Sequence, residues 1–379
     1  MARSYEGGIT CNRKEKHMEV GRFTKKSKSD RPKVGLQGSC PKSVQKFKKE
    51  MNTKFEMSDL GLLTHYLGIE VNQKEGGITL KQESYAKNLL VKTGMQNCNP
   101  TKTPMEHKLK LKKEDGSELV NPTEYRSIVG GLRYLTHTRP DITFVVGIVS
   151  RFMEKPTMNQ LQAVKGILRY IKGTLDFGLM YSKGEGPVTL KGYTDSDLGN
   201  DVNDRKSTSG MAFFVNENLI TWASQKQKCV ALSSCEAEFM AATMAACQGI
   251  RLRRLLSEVT GKNIPLVELK VDNKSALDLM KNPIFHGRSK HIDIRFHFIR
   301  ECIENGDISV IHVCSKKQKA DALTKSLGRL KFEEMRSLLG MMKVCEKPTL
   351  SPLRIHPLLY FLHLQPHDTL SIITTDHHQ

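Results

Sequence analysis

Four carboxylates in the second half of the chain have the types and settings for divalent-cation chemistry. Asp195 closes the strand-like run in GYTDSD (192–197), with Asp197 one residue beyond it, and Asp272 closes a β-branched run in VDN. Glu238 falls one turn into a long helical stretch, and Asp321 opens the segment ADALTK, read as the start of a helix. Gathered without partners, such charges would cost several kcal/mol each. Around hard cations with oxygen preference, Mg²⁺ or Mn²⁺, they are tolerable. Two such ions about 4 Å apart serve in-line phosphodiester cleavage. Each acid also has a plainer reading. Asp195 or Asp197 suits a strand-end turn, Asp272 a cap on KSALDL, Asp321 a helix-start charge, and Glu236 a capping partner of Ser233. The spacing from Asp195 to Asp204 has a calcium-loop look, but Gly199 and the lack of a distal Glu break that template.

The elements that must position these acids follow from periodicity. PVTLKGYTD, SGMAFFVN and LITWAS read as three strands. SSCEAEFMAATMAACQGIRLRRLLSEV is a long helix opened by Ser233, with Ala241, Ala242 and Ala245 following Glu238 so that the helix can approach a sheet closely. LVELKVDN is a fourth strand, KSALDLMKN a short helix, HIDIRFHFIRECIENG a helix ended at Gly306, DISVIHV a fifth strand, and KKQKADALTK a terminal helix. Three consecutive strands, then crossovers through helices, give a mixed sheet with flanking helices. A crossover that sets the fourth strand beside the first would bring Asp195 and Asp272 to one sheet edge.

Before residue 186 the pattern is different. SVQKFKKEMNTKFEM has helical spacing, THYLGIEVNQKEGGITLKQ reads as a hairpin, and ESYAKNLLVKTGM as a helix closed by Gly94. Three further helical segments follow between Thr123 and Thr174. Residues 1–40 are basic and non-periodic and read as a disordered or unrelated segment, and the tail 346–379, Pro- and His-rich with no clean period, reads as unrelated to the domain before it.

The net charge of +19 over 379 residues favours a polyanionic partner, above all nucleic acid. Nine scattered cysteines with no CxxC pair point to reduced thiols inside a cell, in a cytoplasmic particle or the nucleus. No apolar run approaches the ~20 residues a membrane span needs, so no membrane partner is expected.

With these residues in place, the stretch from about Pro41 to Gly340 resembles the C-terminal part of a copia-type retrotransposon polyprotein. The strings that carry the likeness include FEMSDLG, YLGIEV, YRSIVGGLRYLTHTRPDI, LRYIKGTLDFGL, DRKSTSG, ALSSCEAEFMA, VDNKSA, NPIFHGRSKHIDIRFHFIRE and ADALTK. The resemblance implies an α/β fold, a ribonuclease H-like mixed five-stranded sheet with flanking helices, preceded by part of a reverse transcriptase. It implies a distal palm and thumb remnant at 41–120, connection helices at 121–185, the ribonuclease H-like domain at 186–328 and a C-terminal helix at 329–345. Residues 1–40 and 346–379 fall outside it. The implied metal ligands and catalytic acids are Asp195, Glu238, Asp272 and Asp321, holding two Mg²⁺ with Mn²⁺ as an alternative. The implied reaction is cleavage of the RNA strand of an RNA–DNA hybrid. Substrate phosphates are expected at Arg205, Lys206, Ser207 and Thr208, and at Arg288, Lys290 and His291. A polymerase site needs a YxDD-like hairpin, and the chain has no consecutive Asp pair, so DNA synthesis is not expected. The alternative is a catalytically inactive remnant that binds nucleic acid.

Overall fold

The computed structural model describes residues 64–74, 77–182, 186–281 and 290–344, with short pieces at 33–34, 45–46, 49–50, 53 and 58–59, and for residues 290–296 the backbone only. The expectations for residues 1–40 (apart from 33–34), for most of the 44–55 helix and for the tail from 346 lie outside the described residues. The first 64 residues belong to a separate unit, in which Lys33–Val34 pairs in parallel with Ser58–Asp59. All that follows concerns the unit that begins at His65.

That unit is built on two five-stranded sheets. The first starts with β1 (His65–Tyr66), β2 (Ile69–Lys74) and β3 (Gly77–Lys81), an antiparallel meander. It is extended by β4 (Phe177–Ser182), nearly a hundred residues later. The helices between β3 and β4 are α1 (Glu83–Lys92), α2 (Pro122–Leu135), α3 (Thr143–Val149) and α4 (Met158–Lys172). Their ends carry local signals. Asn121 caps α2, its side-chain oxygen accepting from the Thr123 and Glu124 N–H groups, with Pro122 in the first turn, where its missing N–H costs nothing. The Gln160 side chain reaches back to accept from the Thr157 N–H before α4. The helices share a core of Tyr125, Val129, Leu132, Ile142, Val146, Val164 and Ile167. ITFVVGIV is therefore a buried helix in this core rather than a strand.

A buried polar cluster lies in this helical layer. Arg139 donates to both Asp141 oxygens at 2.9 and 2.8 Å and to Thr174, and the Tyr170 hydroxyl donates to Asp141 at 2.6 Å. Arg336, from α8 (Arg329–Leu338), donates to Tyr170 at 3.1 Å. The chain then adds β10 (Met341–Lys343) to β4, so the first sheet runs β10–β4–β3–β2–β1. The stretch expected to be a C-terminal helix is thus a helix and a strand. Neither β4 nor β10 was read from the sequence, because three to six residues are too few to show a period.

The second sheet contains β5 (Leu190–Ser196), β6 (Thr208–Val215), β7 (Asn218–Lys226), β8 (Val267–Val271) and β9 (Ile308–His312), in the order β9–β8–β5–β6–β7. β5, β6 and β7 are antiparallel, whereas β8 and β9 join in parallel. The crossovers are α5 (Ser234–Thr260), α6 (Lys274–Lys281) and α7 (Lys290–Glu304). This is the mixed five-stranded sheet with flanking helices that the strand order implied. Phe213, Ile220, Phe239, Leu269 and Val310 form its core. The Trp222 indole on β7 donates to the Thr143 hydroxyl of α3 at 3.1 Å, joining this layer to the helical one.

Candidate metal centre

The acids meet where β5 and β8 end side by side. These strands pair in parallel, Lys191 to Tyr193 against Glu268 to Lys270, so Asp195 at the end of β5 and Asp272 just past β8 project at the same edge. α5 supplies the third acid. Its N-cap Ser233 accepts from the Glu236 N–H at 3.1 Å, and Glu236 accepts from the Leu232 N–H at 2.9 Å. Glu236 is occupied in capping, as expected. Glu238, two residues on, turns toward the sheet and is 5% exposed. One carboxylate oxygen from each of Asp195, Glu238 and Asp272 lies within 4.8 Å of the other two.

Asp321 reaches the same edge by a different route. The stretch expected to form a terminal helix instead makes two 3₁₀ turns, Ser315–Lys317 and Lys319–Leu323. Gln318 interrupts them. It is fully buried, donates to the Thr194 carbonyl at 2.8 Å and accepts from the Ala320 N–H at 3.3 Å, which pins the segment to β5 instead of letting it wind on. The second turn then presses onto β6 at Gly210, the residue opposite Asp195. A Cβ there would meet Thr324 Cγ2 at 2.7 Å and Leu323 Cβ at 2.9 Å, so only glycine allows the approach. The Thr324 hydroxyl donates to Asp195 Oδ2. Lys325 Nζ lies 3.0 Å from Asp195 Oδ1 and 2.8 Å from Asp321 Oδ1. The expected cage of four is therefore three acids in one cluster, with Asp321 tied to it through an ammonium group.

The electrostatics favour a cation there. Two ionised carboxylates 4.8 Å apart repel by about 3.5 kcal/mol at an effective dielectric constant near 20. Burial, then the Asp195 charge, push the Glu238 carboxyl up from its ordinary 4.5 to about 9. Burial and Asp195 also raise Asp272 and Asp321. Burial would lower the Lys325 ammonium, but Asp195 and Asp321 outweigh it and hold it above its ordinary range. Glu238 Oε1 accepts from the Ser196 N–H at 3.0 Å, while its Oε2 is buried with no hydrogen-bond partner. A donor set made only of carboxylate oxygens, one of them buried and unpaired, fits a hard divalent cation.

Asp197 has a different task. It is buried, and its Oδ1 accepts from the Asn200 and Thr208 N–H groups at 3.2 and 3.1 Å, organising the loop between β5 and β6. Asp201 in that loop takes Arg151 at 3.0 Å and Lys226 at 2.6 Å. Of the expected phosphate-binding residues on this loop, Arg205 is exposed and Lys206 half-buried beside Asp204 at 3.7 Å. Ser207 and Thr208 are 0% and 1% exposed. The Ser207 hydroxyl accepts from Gly199 and that of Thr208 from Arg151, so the expectation that these two meet substrate is corrected to a loop-holding role. Arg288 and the side chains of Lys290 and His291 lie outside the described residues. Sequence reading missed Thr324, Lys325 and Gln318. The four-residue step from Asp321 to Lys325 was the available signal.

Comparison with known proteins adds the following. A family model described as reverse transcriptase (RNA-dependent DNA polymerase) matches residues 32–107. The chain is similar to the retrovirus-related Pol polyprotein from transposon TNT 1-94 of Nicotiana tabacum, 40% identical over 309 residues, 79% of this chain and 23% of that one. It is also similar to an uncharacterized mitochondrial protein of Arabidopsis thaliana, 36% identical over 52% of this chain and 82% of that one. The chain spans about a fifth of the length of the Pol polyproteins it matches. Among solved structures, LC11-RNase H1 isolated from compost aligns with a TM-score of 0.29 and 16% identity, over 36% of this chain and 92% of that one.

Proposed function

The chain belongs to the copia-type retrotransposon Pol polyprotein family, and from that premise we propose that residues 186–328 hydrolyse the RNA strand of RNA–DNA hybrids. The observation that carries this reading is the acid cluster itself, with oxygens of Asp195, Glu238 and Asp272 within 4.8 Å of one another on elements far apart in sequence. Asp195, Glu238, Asp272 and Asp321 are the residues that would hold two Mg²⁺ or Mn²⁺ ions. When bound, such ions supply an activated water and stabilise the leaving oxygen.

The chain's own residues prepare the site for that. The Ser196 N–H and α5 fix Glu238, Thr324 orients Asp195, and Gln318 with Gly210 sets the turn that carries Asp321. Lys325 supplies the positive charge that keeps Asp195 and Asp321 together in the metal-free protein. Loading the Asp321 side then requires the ammonium to leave. Arg205, exposed on the loop beyond Asp197, would take a substrate phosphate. Lys325, held on Asp195 and Asp321, also lends support to the alternative, a remnant that binds nucleic acid without cutting it.

The test is a labelled RNA–DNA hybrid incubated with the full chain in Mg²⁺, Mn²⁺ or EDTA. Metal-dependent cutting of the RNA strand, abolished by Asp272→Asn with hybrid binding kept, is the expected result. Cleavage that survives Asp272→Asn or EDTA refutes the mechanism. Binding with no cutting in either metal favours the remnant.

A further inference from the structure

Five lysines stand between residues 102 and 113 against one glutamate, Glu106. The last part, HKLKLKK (107–113), alternates. Leu109, itself 37% exposed, and half-buried Leu111 line a cleft with Lys110, Met105, Phe144 and Phe152, and Lys108, Lys110, Lys112 and Lys113 are exposed. The two leucines hold the segment against the helical layer, while the long lysine stems let the ammonium groups reach solvent.

The segment is fastened at both ends to the loops around the acid cluster. His107 Nδ1 lies 2.7 Å from the Ser326 carbonyl, and the Lys108 N–H donates to the Ser326 hydroxyl at 3.0 Å. Ser326 directly follows Lys325, which sits on Asp195 and Asp321. Farther along, Lys110 donates to the Asn200 carbonyl at 3.3 Å and the Lys113 N–H to Asn203 Oδ1 at 2.8 Å. The strap thus runs from the edge of the acid cluster to the loop that carries Arg205.

No carboxylate among the described residues pairs with Lys108, Lys110, Lys112 or Lys113, whereas Lys206 and Lys226 are drawn onto Asp204 and Asp201. Of the nearby acids, Asp115 is taken up by Ser117 and Thr157, which leaves Glu106 and Glu114 exposed on this stretch. Four ammonium groups with no carboxylate partner among the described residues, one of them donating to the Asn200 carbonyl, stand beside the candidate metal centre and match a nucleic-acid backbone.

We infer that the strap 107–113 is a phosphate track that seats the duplex next to the acid cluster. The inference rests on the hydrolase reading for the identity of the duplex. Because phosphate contacts carry no sequence information, the track binds RNA–DNA hybrid and double-stranded DNA alike.

The test uses the full chain with Asp272→Asn, so that bound hybrid stays intact, and measures affinity by fluorescence anisotropy between about 50 and 200 mM salt. Changing Lys108, Lys110, Lys112 and Lys113 together to Gln should weaken binding and flatten the log K against log salt slope by up to about 3.6, near 0.9 for each phosphate no longer neutralised. The same four changed to Arg should keep both affinity and slope. Circular dichroism of each variant checks that it is folded. An unchanged affinity and slope in the Gln variant overturns the track, as does equal loss in the Arg variant, which would make the role structural. Cleavage by the unaltered chain is scored separately. Hybrid cutting with an unchanged slope keeps the hydrolase and removes the track, whereas a flattened slope without cutting does the reverse.

Discussion

Replacing Glu238 by Gln should make the metal-free protein more stable while destroying the site. Glu238 is buried among like charges, and its carboxyl is raised from 4.5 to about 9. A carboxyl whose value rises on folding contributes nothing unfavourable below the unfolded value and costs stability as pH climbs toward the folded one. Each pH step across that window costs about 1.4 kcal/mol. At pH 7 the wild-type chain therefore sits about 3 kcal/mol below a chain with a neutral side chain there. Gln keeps an oxygen to accept from the Ser196 N–H and offers an amide toward Asp195 and Asp272, where Glu offers an unpaired oxygen. In EDTA, urea or thermal unfolding should show the Gln variant melting roughly 6 °C higher at pH 7, at about 2 °C per kcal/mol for a chain of this length. The gap should close near pH 4.5 and widen toward pH 8. Saturating Mg²⁺ should stabilise the wild type and leave the variant nearly unmoved. A wild type as stable as the variant at pH 8 in EDTA, or a gap that ignores pH, would refute the electrostatic account.

Other perturbations probe the scaffold. Asp141→Ala leaves the Arg139 guanidinium buried without its partner and should cost about 3–5 kcal/mol, read as a lowered urea midpoint. Burial would raise Asp141, but Arg139 outweighs it and holds the carboxyl below its ordinary range, so its contribution is complete above about pH 4 and lost on acidification below that. An acid titration of unfolding that shows no difference between wild type and Asp141→Asn would contradict this. Gly210→Ala forces a methyl into Thr324 and Leu323, which should cost about 1–3 kcal/mol and cut hybrid cleavage more than hybrid binding. Lys325→Met removes two ion pairs from Asp195 and Asp321, so the variant should be less stable than wild type in EDTA and gain more from Mg²⁺ in a thermal shift. Equal Mg²⁺ gains in the two proteins would separate Lys325 from the metal positions.

The strands and the helix that carry Asp195, Glu238 and Asp272 were legible in the sequence because they depend on local order. Short apolar runs between polar turns marked β5 and β6, the Ser233–Glu236 pair marked the start of α5, and the small residues after Glu238 marked the face that packs on the sheet. Strand order made it possible for a crossover to set β8 beside β5, and the structure pairs them in parallel so that Asp195 and Asp272 meet. Tertiary structure decided the rest. It divided the DSD pair, giving Asp195 to the cluster and Asp197 to the loop. It replaced a helix at Asp321 by 3₁₀ turns, because buried Gln318 found the Thr194 carbonyl and Gly210 left room beside β6. It set Lys325 between Asp195 and Asp321, residues separated by 126 positions on the chain. Local propensity reports only neighbours a few residues away, whereas the field at a carboxylate is fixed by charges within a few ångströms, whatever their distance in sequence.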